Sequence, residues 1–378
     1  MVAGSFAYPS FVSILPYRPE FENEHPYGAP QLDVPVCLNV NENPYAPSAE
    51  LVADIAHAVA EAASKLNRYP DRDFMDLRQD LADYLAEESG VKFPASRIWA
   101  ANGSNEVMLH ILQAFGGPGR TIGSFAPTYS MYAEYARDVF ARWVAGTRTE
   151  NFEIDVDEVR RVLTTERPSV LLLTSPNNPT GTAVPHEQII EILDAARTTG
   201  PDEGKATLVV IDEAYAEFRR DGVPSALELV DANPHMIVTR TMSKAFGAAG
   251  LRLGYAAASQ EIVDQLTVVR LPYHLSASTQ AAARAALSHR APLRAQVAEL
   301  RESRDQLAAD LQGLGLRTVP SDANFVMFGT FEDRHAIWQG LLDRGILIRE
   351  VGPEGWLRVS VGSPAENVAF LTALKEVM

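Results

Sequence analysis

The sequence predicts an α/β protein, with a large domain built on a mostly parallel sheet flanked by helices and a smaller α+β domain after it. Short apolar segments typical of buried strands alternate with helical segments from about residue 97 to residue 244. This alternation implies right-handed crossovers between parallel strands. After about Ser276 the pattern changes to long helices followed by two short strands, predicted at residues 346–349 and 356–361, which indicates the second domain.

The composition excludes several classes of protein. A chain of 378 residues with 46% hydrophobic and 22% charged residues is typical of a soluble protein with two domains. A net charge of -16 argues against nucleic acid as a partner, because binding to phosphates needs a basic surface. The single cysteine, Cys37, makes no internal disulfide and favours a reducing compartment. Without an apolar run of membrane length or a signal-like N-terminus, we expect a cytoplasmic protein with no membrane contact.

The first forty residues contain six prolines and no sustained periodicity. This pattern favours an arm laid over another surface, with a disordered tail as the alternative, and it leaves the order and role of residues 1–19 open. We assign residues 1–48 to this arm and to part of the small domain. Residues 49–275 form the predicted large domain, and residues 276–378 form the predicted small domain.

Apolar side chains recur at three- and four-residue spacing from Ala49 to Val59 and again from Phe74 to Tyr84. This spacing predicts two helices, and Gly90 ends the second one. Leucines also recur every seven residues from Leu293 to Leu314. The run is short and Arg304 lies on the neighbouring row, so we expect these leucines to pack against the small domain rather than form a coiled coil.

A short strand predicted at residues 97–101 is followed by Gly103, and Ser104 and Asn105 then lead into an apolar helix predicted at residues 107–115. The free backbone N–H groups and the dipole of a helix N-terminus favour a bound phosphate. The alternative is an ordinary helix cap without a ligand.

Three further apolar strands each finish in polar residues. The first leads to Asn178, the second to Asp212 and Tyr215, and the third to Lys244. Because the carboxyl ends of parallel strands meet at one edge of a sheet, we expect an amide, an acid, a phenol and an amine to converge there. This combination suits pyridoxal phosphate. The lysine amine can form a Schiff base, an ionised aspartate can keep the ring nitrogen protonated, and the phenol and amide can hydrogen-bond the ring oxygen.

Five motifs occur in the order typical of one family: LNVNENP at 38–44, NRYP at 67–70, SPNNPTG at 175–181, DEAY at 212–215 and SKAF at 243–246. On these motifs the sequence resembles the fold type I aminotransferases, within the class II pyridoxal-phosphate-dependent group, and among them the histidinol-phosphate aminotransferase branch. The similarity extends from about residue 25 to the C-terminus.

The resemblance implies a role for each polar residue. Lys244 would carry the cofactor and then act as general base and acid, for which its amine must be neutral; burial and nearby cations would lower its pKa. The cofactor phosphate would be held by Ser104 and Asn105, which lead into the predicted 107–115 helix, and by Ser243, Arg252 and Thr241. Tyr129 would lie against the cofactor ring, with a core aromatic as the alternative. Tyr69 would reach the cofactor phosphate of a neighbouring subunit, so the site would be complete only in a homodimer.

The predicted substrate contacts lie near the C-terminus. Arg349 and Arg358 lie among apolar residues of two short strands. A buried arginine in such a place either pairs with an internal carboxylate or binds an anionic ligand. The resemblance favours the anion. It matches Arg358 to the residue that holds an α-carboxylate and Arg349 to one that helps hold the phosphate of histidinol phosphate. Tyr27 would add a hydroxyl from the arm, and Asn178 would contact both cofactor and substrate.

The predicted function is amino transfer between L-histidinol phosphate and 2-oxoglutarate, which gives imidazole acetol phosphate and L-glutamate in histidine biosynthesis. An aromatic amino acid aminotransferase would keep the same cofactor residues and is the main alternative, followed by a phosphoamino-acid decarboxylase. A regulatory binding protein on this fold would be expected to lose Lys244 or Asp212, and both are present. The histidines match no metal-binding pattern, so we predict no metal site.

Overall fold

The computed structural model describes residues 15–22 and 24–378, and the strands and helices below are those of the described residues. The strands are β1 (Val36–Cys37), β2 (Ile98–Ala101), β3 (Thr121–Ala126), β4 (Arg142–Thr147), β5 (Val170–Thr174), β6 (Leu208–Asp212), β7 (Met236–Thr241), β8 (Gly254–Ala258), β9 (Arg317–Thr318), β10 (Phe325–Gly329), β11 (Ile346–Leu347) and β12 (Leu357–Ser360). The helices are α1 (Ala49–Ala63), α2 (Met75–Ser89), α3 (Ser104–Phe115), α4 (Met131–Asp138), α5 (Val156–Glu166), α6 (His186–Ala196), α7 (Gln260–Val269), α8 (Ala277–Ser288), α9 (Arg290–Gly313), α10 (Arg334–Leu342) and α11 (Pro364–Val377).

The large domain is built on a seven-stranded sheet in the order β2-β8-β7-β6-β5-β3-β4. Strand β8 runs antiparallel to both of its neighbours, and the pairings from β7 to β4 are parallel. Every residue of β5, β6 and β7 is buried, as expected for strands covered on both faces. The predicted mostly parallel sheet is confirmed, and its three central strands bring their carboxyl ends to one edge.

The larger hydrophobic core extends in sequence from Phe74 to Leu287 and surrounds this sheet. The second helix of the chain ends where the sequence predicts, with Gly90 in the left-handed conformation that a glycine adopts without strain. Helix α8 packs against α1, and Ala283 and Leu287 of α8 belong to this core. We therefore propose to count α8 with the large domain, so that the small domain begins at α9.

The small domain has its own core around the antiparallel sheet β12-β10-β9. Leu293, Leu300 and Leu307 of α9 are buried in that core, so these leucines pack against the domain as predicted. Strand β1 pairs in parallel with β11, which attaches the end of the arm to the small domain.

Two predicted strands near the C-terminus are shorter in the structure. The predicted strand at residues 346–349 is reduced to β11, and the predicted strand at 356–361 is reduced to β12. Beyond β11, Arg349 and Arg358 form an isolated antiparallel bridge whose two backbone hydrogen bonds are both 3.0 Å long. The two arginines are therefore direct cross-strand neighbours. None of the helices in the described ranges is long and apolar enough to cross a membrane.

Candidate active site

A cleft of about 360 Å³ lies where the carboxyl ends of β5, β6 and β7 meet the start of α3, the arm and the small domain. Every residue predicted for the site lines this cleft except Tyr69. The predicted residues at the cleft are Tyr27, Ser104, Asn105, Tyr129, Asn178, Asp212, Tyr215, Thr241, Ser243, Lys244, Arg252, Arg349 and Arg358.

The amine of Lys244 lines this cleft. Its Nζ donates a 2.8 Å hydrogen bond to the Val40 carbonyl and lies 5.9 Å from the centre of the Tyr215 ring. Burial, together with the charges of Arg358 and Arg252, lowers the pKa of Lys244 to about 8. A neutral amine is therefore accessible near neutral pH, as a nucleophile or a general base requires.

The carboxylate of Asp212 lies at the end of β6 and is buried. It accepts a 2.8 Å hydrogen bond from the Tyr132 hydroxyl and a 3.1 Å hydrogen bond from the Thr239 hydroxyl. No lysine or arginine among the described residues forms an ion pair with it. Burial raises the pKa of Asp212 against the opposing effect of these hydrogen bonds. The environment thus disfavours an isolated negative charge and suits a cationic N–H donor.

The hydroxyl of Tyr215 accepts hydrogen bonds from two amides, Asn41 at 3.0 Å and Asn178 at 3.3 Å. Its ring packs edge to face on Phe325 of the small domain at a centroid distance of 5.1 Å. Because both neighbours donate to the phenol oxygen, its own hydrogen is free to donate to a third group. The phenol therefore presents a fixed donor to the cleft.

The start of α3 faces Arg252 and offers an anion site. Helix α3 begins at Ser104 without a side-chain cap, and the backbone N–H groups of Ser104 and Asn105 have no acceptor among the described residues. A side chain at residue 254 would collide with the backbone of Gly103 and Ser104, so Gly254 lets β8 approach this helix end. Unpaired N–H groups beside a guanidinium bind phosphate readily.

Two hydroxyls complete this anion site. Thr241 ends β7 and Ser243 lies two residues later, with their hydroxyl oxygens 3.1 Å apart, and the Arg252 guanidinium donates to the Ser243 oxygen over 3.3 Å. The arginine and the hydroxyls are therefore held together before any anion arrives, which lowers the entropy cost of binding it.

The two remaining predicted tyrosines occupy different places. Tyr129 is half-buried in the cleft and packs edge to face against Tyr132 at a centroid distance of 5.5 Å. Tyr69 is 80% exposed and stacks on Tyr273 with the ring centres 4.4 Å apart, outside the cleft of its own chain.

The opposite wall of the cleft carries two arginines with no carboxylate partner among the described residues. Arg358 is buried, donates to the Asn178 side chain at 2.5 Å and to the Asn39 carbonyl at 2.8 Å, and leaves its Nε without a partner. Burial, with a contribution from Arg349, lowers the pKa of Arg358 to about 10. The half-buried Arg349 lies beside it at the bridge between the strands. A buried cation without a counter-ion is costly, so this wall is suited to an anion.

The arm contributes Tyr27, which is 46% exposed and lines the cleft. Upstream of it, the Arg18 guanidinium lies 3.7 Å from the centre of the Phe140 ring and donates to the Arg137 carbonyl at 3.0 Å. Downstream, the Asn39 amide donates to the Pro30 carbonyl at 2.8 Å. The arm is therefore attached on both sides of Tyr27.

The cleft fits pyridoxal phosphate on the observations above. The α3 terminus with Arg252 suits its phosphate, the buried Asp212 suits its protonated ring nitrogen, and the Tyr215 hydroxyl suits its ring oxygen. Lys244 lines the same cleft with an amine of lowered pKa. The second anion site, at Arg358 and Arg349, remains for a substrate.

Sequence patterns did not identify several residues that shape the site. Tyr132 and Thr239 hold Asp212, and Asn41 holds Tyr215. The one available signal was the closeness of Tyr132 to Tyr129 in the sequence, although Tyr129 lies before α4 begins at Met131 and helical spacing does not relate the two. The contacts of Thr239 and Asn41 depend on strand register and on the path of the arm, neither of which leaves a local pattern. Glu42 also lines the cleft and was not predicted as a site residue.

Comparisons with known proteins agree with this geometry. The model of the family described as aminotransferase class I and II matches residues 34–374. Histidinol-phosphate aminotransferase 3 of Burkholderia lata is 58% identical over 367 residues, which cover 97% of each chain. The histidinol-phosphate aminotransferase of Bifidobacterium longum is 52% identical over 373 residues, which cover 96% of this chain and 97% of that one.

Solved structures share the fold. The histidinol-phosphate aminotransferase of Sinorhizobium meliloti in complex with pyridoxal-5'-phosphate superposes with a TM-score of 0.83 at 24% identity and covers 97% of this chain and 98% of that one. The aspartate aminotransferase of Thermus thermophilus with maleate gives a TM-score of 0.77 at 25% identity, with 91% of each chain covered.

Proposed function

The chain belongs to the class I and II aminotransferase family, and from that premise we propose that it transfers an amino group between L-histidinol phosphate and 2-oxoglutarate. The products would be imidazole acetol phosphate and L-glutamate, in a reversible step of histidine biosynthesis. The observation that carries this proposal is the pair of cross-strand arginines, Arg349 and Arg358, whose guanidinium groups have no carboxylate partner among the described residues and can bind one anionic end of a substrate. Cytoplasm as the place of action stays a prediction.

The proposed cofactor is pyridoxal phosphate. When bound, it supplies an aldehyde that captures an amine and a ring that withdraws electrons from the carbon bearing the substrate's amino group. Ser104, Asn105, Arg252 and the two hydroxyls at the end of β7 would hold its phosphate. Asp212 would keep its ring nitrogen protonated, and Tyr129 would lie against its ring.

Lys244 has two proposed tasks. It would hold the cofactor covalently, and once a substrate amine takes its place it would carry a proton away from the substrate carbon and return it elsewhere. The pKa of about 8 suits both tasks, because the neutral amine then makes up roughly a tenth of the population at pH 7. Since one cleft serves both half-reactions, we expect ping-pong kinetics.

Arg358 is proposed to orient the substrate. Its guanidinium is fixed by Asn178 and by the Asn39 carbonyl, and its unpaired Nε leaves a donor for an oxyanion. A prearranged planar donor set binds a carboxylate or a phosphate with defined geometry. Arg349 adds a second positive charge, so that the two arginines together can neutralise a phosphate dianion.

A homodimer is the proposed assembly, with Tyr69 reaching the phosphate site of the second copy. Tyr69 is largely exposed and does not line its own cleft. Helix α1 is apolar for most of its length, yet none of its residues is buried. Leu66, Val268 and Leu271 are further exposed apolar side chains, and exposed apolar side chains of this kind are typical of a subunit interface.

A substrate panel tests the proposal. The enzyme loaded with pyridoxal phosphate is assayed with histidinol phosphate, phenylalanine and tyrosine at equal concentration and with 2-oxoglutarate as acceptor. We expect kcat/KM to be largest for histidinol phosphate, because only this amine carries a phosphate for the two arginines. A preference for phenylalanine or tyrosine would identify the chain as an aromatic amino acid aminotransferase instead.

A further inference from the structure

Glu42 places a carboxylate at the cleft without a partner. Its side chain is exposed and lines the cleft, and it forms no hydrogen bond or ion pair with any described residue. The other charged side chains at the cleft are Lys244, Arg252, Arg349, Arg358 and the buried, hydrogen-bonded Asp212. Glu42 is therefore the lining carboxylate that is available to a ligand within the described part of the chain.

The backbone on both sides of Glu42 is fixed by contacts with the rest of the site. The Val40 carbonyl accepts from Lys244, the Asn41 backbone N–H donates to the Ser360 hydroxyl at 2.9 Å, and the Asn43 amide donates to the Ala245 carbonyl at 3.2 Å. Asn41 also has a φ of 57°, in the left-handed region that non-glycine residues adopt only when their surroundings hold them there. The carboxylate is thus carried on a prearranged segment, and a ligand that binds it pays little for ordering the backbone.

Glu42 does not serve the chemistry proposed for Lys244. Its charge raises the pKa of Lys244, against the lowering by burial and by Arg358, so it works against formation of the neutral amine. Glu42 also caps no helix and pairs with no cation in the described structure. Neither catalysis by the lysine nor the stability of the fold accounts for a carboxylate at this position.

The substrate assigned above has one polar group for which the site has not yet provided a partner. The phosphate of histidinol phosphate goes to the arginines and its amino group goes to the position of Lys244, which leaves the imidazole ring with an N–H donor. Resting on that proposed function, we propose that Glu42 recognises the imidazole ring by accepting a hydrogen bond from its N–H. An acceptor placed for one N–H group selects against rings that lack it, because the carboxylate then loses its partner.

The test compares two phosphorylated amines that differ only in the ring. Histidinol phosphate carries imidazole, and phenylalaninol phosphate carries a phenyl ring of similar shape with no N–H. We expect the wild-type enzyme to favour histidinol phosphate in kcat/KM by about tenfold or more, a modest ratio because Glu42 is exposed to solvent. Glu42→Ala should bring the ratio of the two amines close to one, and Glu42→Gln, which keeps a carbonyl acceptor, should give an intermediate ratio.

Glu332→Ala is the matched control, because Glu332 is an exposed carboxylate that does not line the cleft. It should keep the wild-type ratio, and the visible absorbance of the bound cofactor should show that every variant is folded and loaded. Equal losses of Glu42→Ala with both amines, or an equal loss with glutamate, would show that Glu42 acts through Lys244 and would overturn the inference. An unchanged ratio would overturn it as well. A wild-type enzyme that uses phenylalanine and not histidinol phosphate would overturn the proposed function itself, and this outcome is separate from the others.

Discussion

The two walls of the cleft are built in different ways. The central part of the cofactor wall comes from one sheet: Asp212 ends β6 and Lys244 follows the parallel neighbour β7, whose Thr239 pairs with Asp212 and donates a hydrogen bond to its carboxylate. The substrate wall comes from separate segments, with Arg349 and Arg358 on the small domain and Tyr27 on the arm. The first wall is prearranged by strand pairing. The second depends on how the arm and the two segments of the small domain that carry Arg349 and Arg358 are held together. Substitutions in this wall therefore have less effect on the large sheet.

A few amides connect the two walls. Asn178 donates to the Tyr215 hydroxyl on the cofactor side and accepts from Arg358 on the substrate side. Asn41 of the arm also donates to Tyr215 and accepts from Ser360 next to the substrate wall. These hydrogen bonds connect the small domain directly to the cofactor wall. We therefore expect substitutions on the cofactor wall to affect every substrate, and substitutions on the substrate wall to affect some substrates more than others.

The largest effect is expected for Lys244→Ala. This change removes the amine that holds the cofactor and moves the proton, and no other lysine lines the cleft in the described structure. Turnover with every amine should fall by at least roughly a thousandfold, and the visible absorbance of the covalently held cofactor should be lost. Steady-state rates and absorbance after dialysis measure both effects, and Lys375→Ala, at an exposed position of α11, is the control. Survival of the absorbance in the Lys244 variant would contradict its assignment.

The next effect is expected for Asp212→Asn, which nearly keeps the shape of the side chain but removes its charge. An amide supports a protonated ring nitrogen poorly, so the rate should fall by roughly a hundred- to a thousandfold for all amines while the cofactor stays bound. Single-turnover rates with histidinol phosphate and with glutamate check that the loss is shared. Asp33→Asn on the arm, an exposed carboxylate, is the control. A loss confined to one amine would show that Asp212 acts on the substrate rather than on the cofactor.

The same contrast between the walls explains what the sequence could predict. Lys244, Asp212 and Tyr215 are recognisable because each follows a buried apolar strand, and parallel strands bring their carboxyl ends together. Tyr132 and Thr239 escape such a prediction because their contacts with Asp212 depend on strand register and helix orientation. Their side-chain types carry no signal by themselves.

The substrate wall was predictable only in part. Arginines between apolar residues marked Arg349 and Arg358, but their direct pairing across two strands rests on the exact ends of β11 and β12. Asn41 contacts residues that are far away in the sequence. Contacts between residues so far apart in the sequence follow from the packing of the two domains and leave no local sequence pattern.

Arg349→Ala sharpens the comparison on the substrate wall. Arg349 faces a phosphate in histidinol phosphate and nothing in the side chain of phenylalanine. A charge-assisted contact is worth roughly 1.5 to 3 kcal/mol, so kcat/KM for histidinol phosphate should fall about tenfold to more than a hundredfold. The loss for phenylalanine should be clearly smaller. The exposed Arg317→Ala is the control, and equal losses for the two amines would place Arg349 outside the recognition of phosphate.

The effect of pH on cofactor capture tests whether the two walls interact electrostatically. Capture needs the neutral amine, and the pKa of Lys244 is lowered from 10.5 to about 8. The protonated amine dominates below this pKa, so the rate at which the cofactor-free protein takes up pyridoxal phosphate should rise about tenfold from pH 7 to pH 9 and level off above about pH 9. Stopped-flow absorbance follows the uptake. Arg358→Gln removes a cation that lowers this pKa, so its midpoint should move upward, and a rate that keeps rising through pH 10 in the wild type would contradict the lowered pKa.

The smallest effect is expected for Tyr27→Phe, which removes one hydroxyl from the arm. Tyr27 is 46% exposed, so its hydrogen bond to a substrate competes with water and is worth about 0.5 to 1.5 kcal/mol. The expected loss is about two- to tenfold in kcat/KM for histidinol phosphate, seen mainly as a higher KM. Tyr17→Phe, on the same arm but outside the cleft, should have no effect.

Arg18→Ala tests whether the arm positions Tyr27. It removes the contact between the arm and Phe140 but does not change Tyr27 itself, so it should also raise KM if the position of Tyr27 depends on the arm. An unchanged KM in both Tyr27→Phe and Arg18→Ala would remove the arm from the substrate wall and leave that wall to the small domain alone.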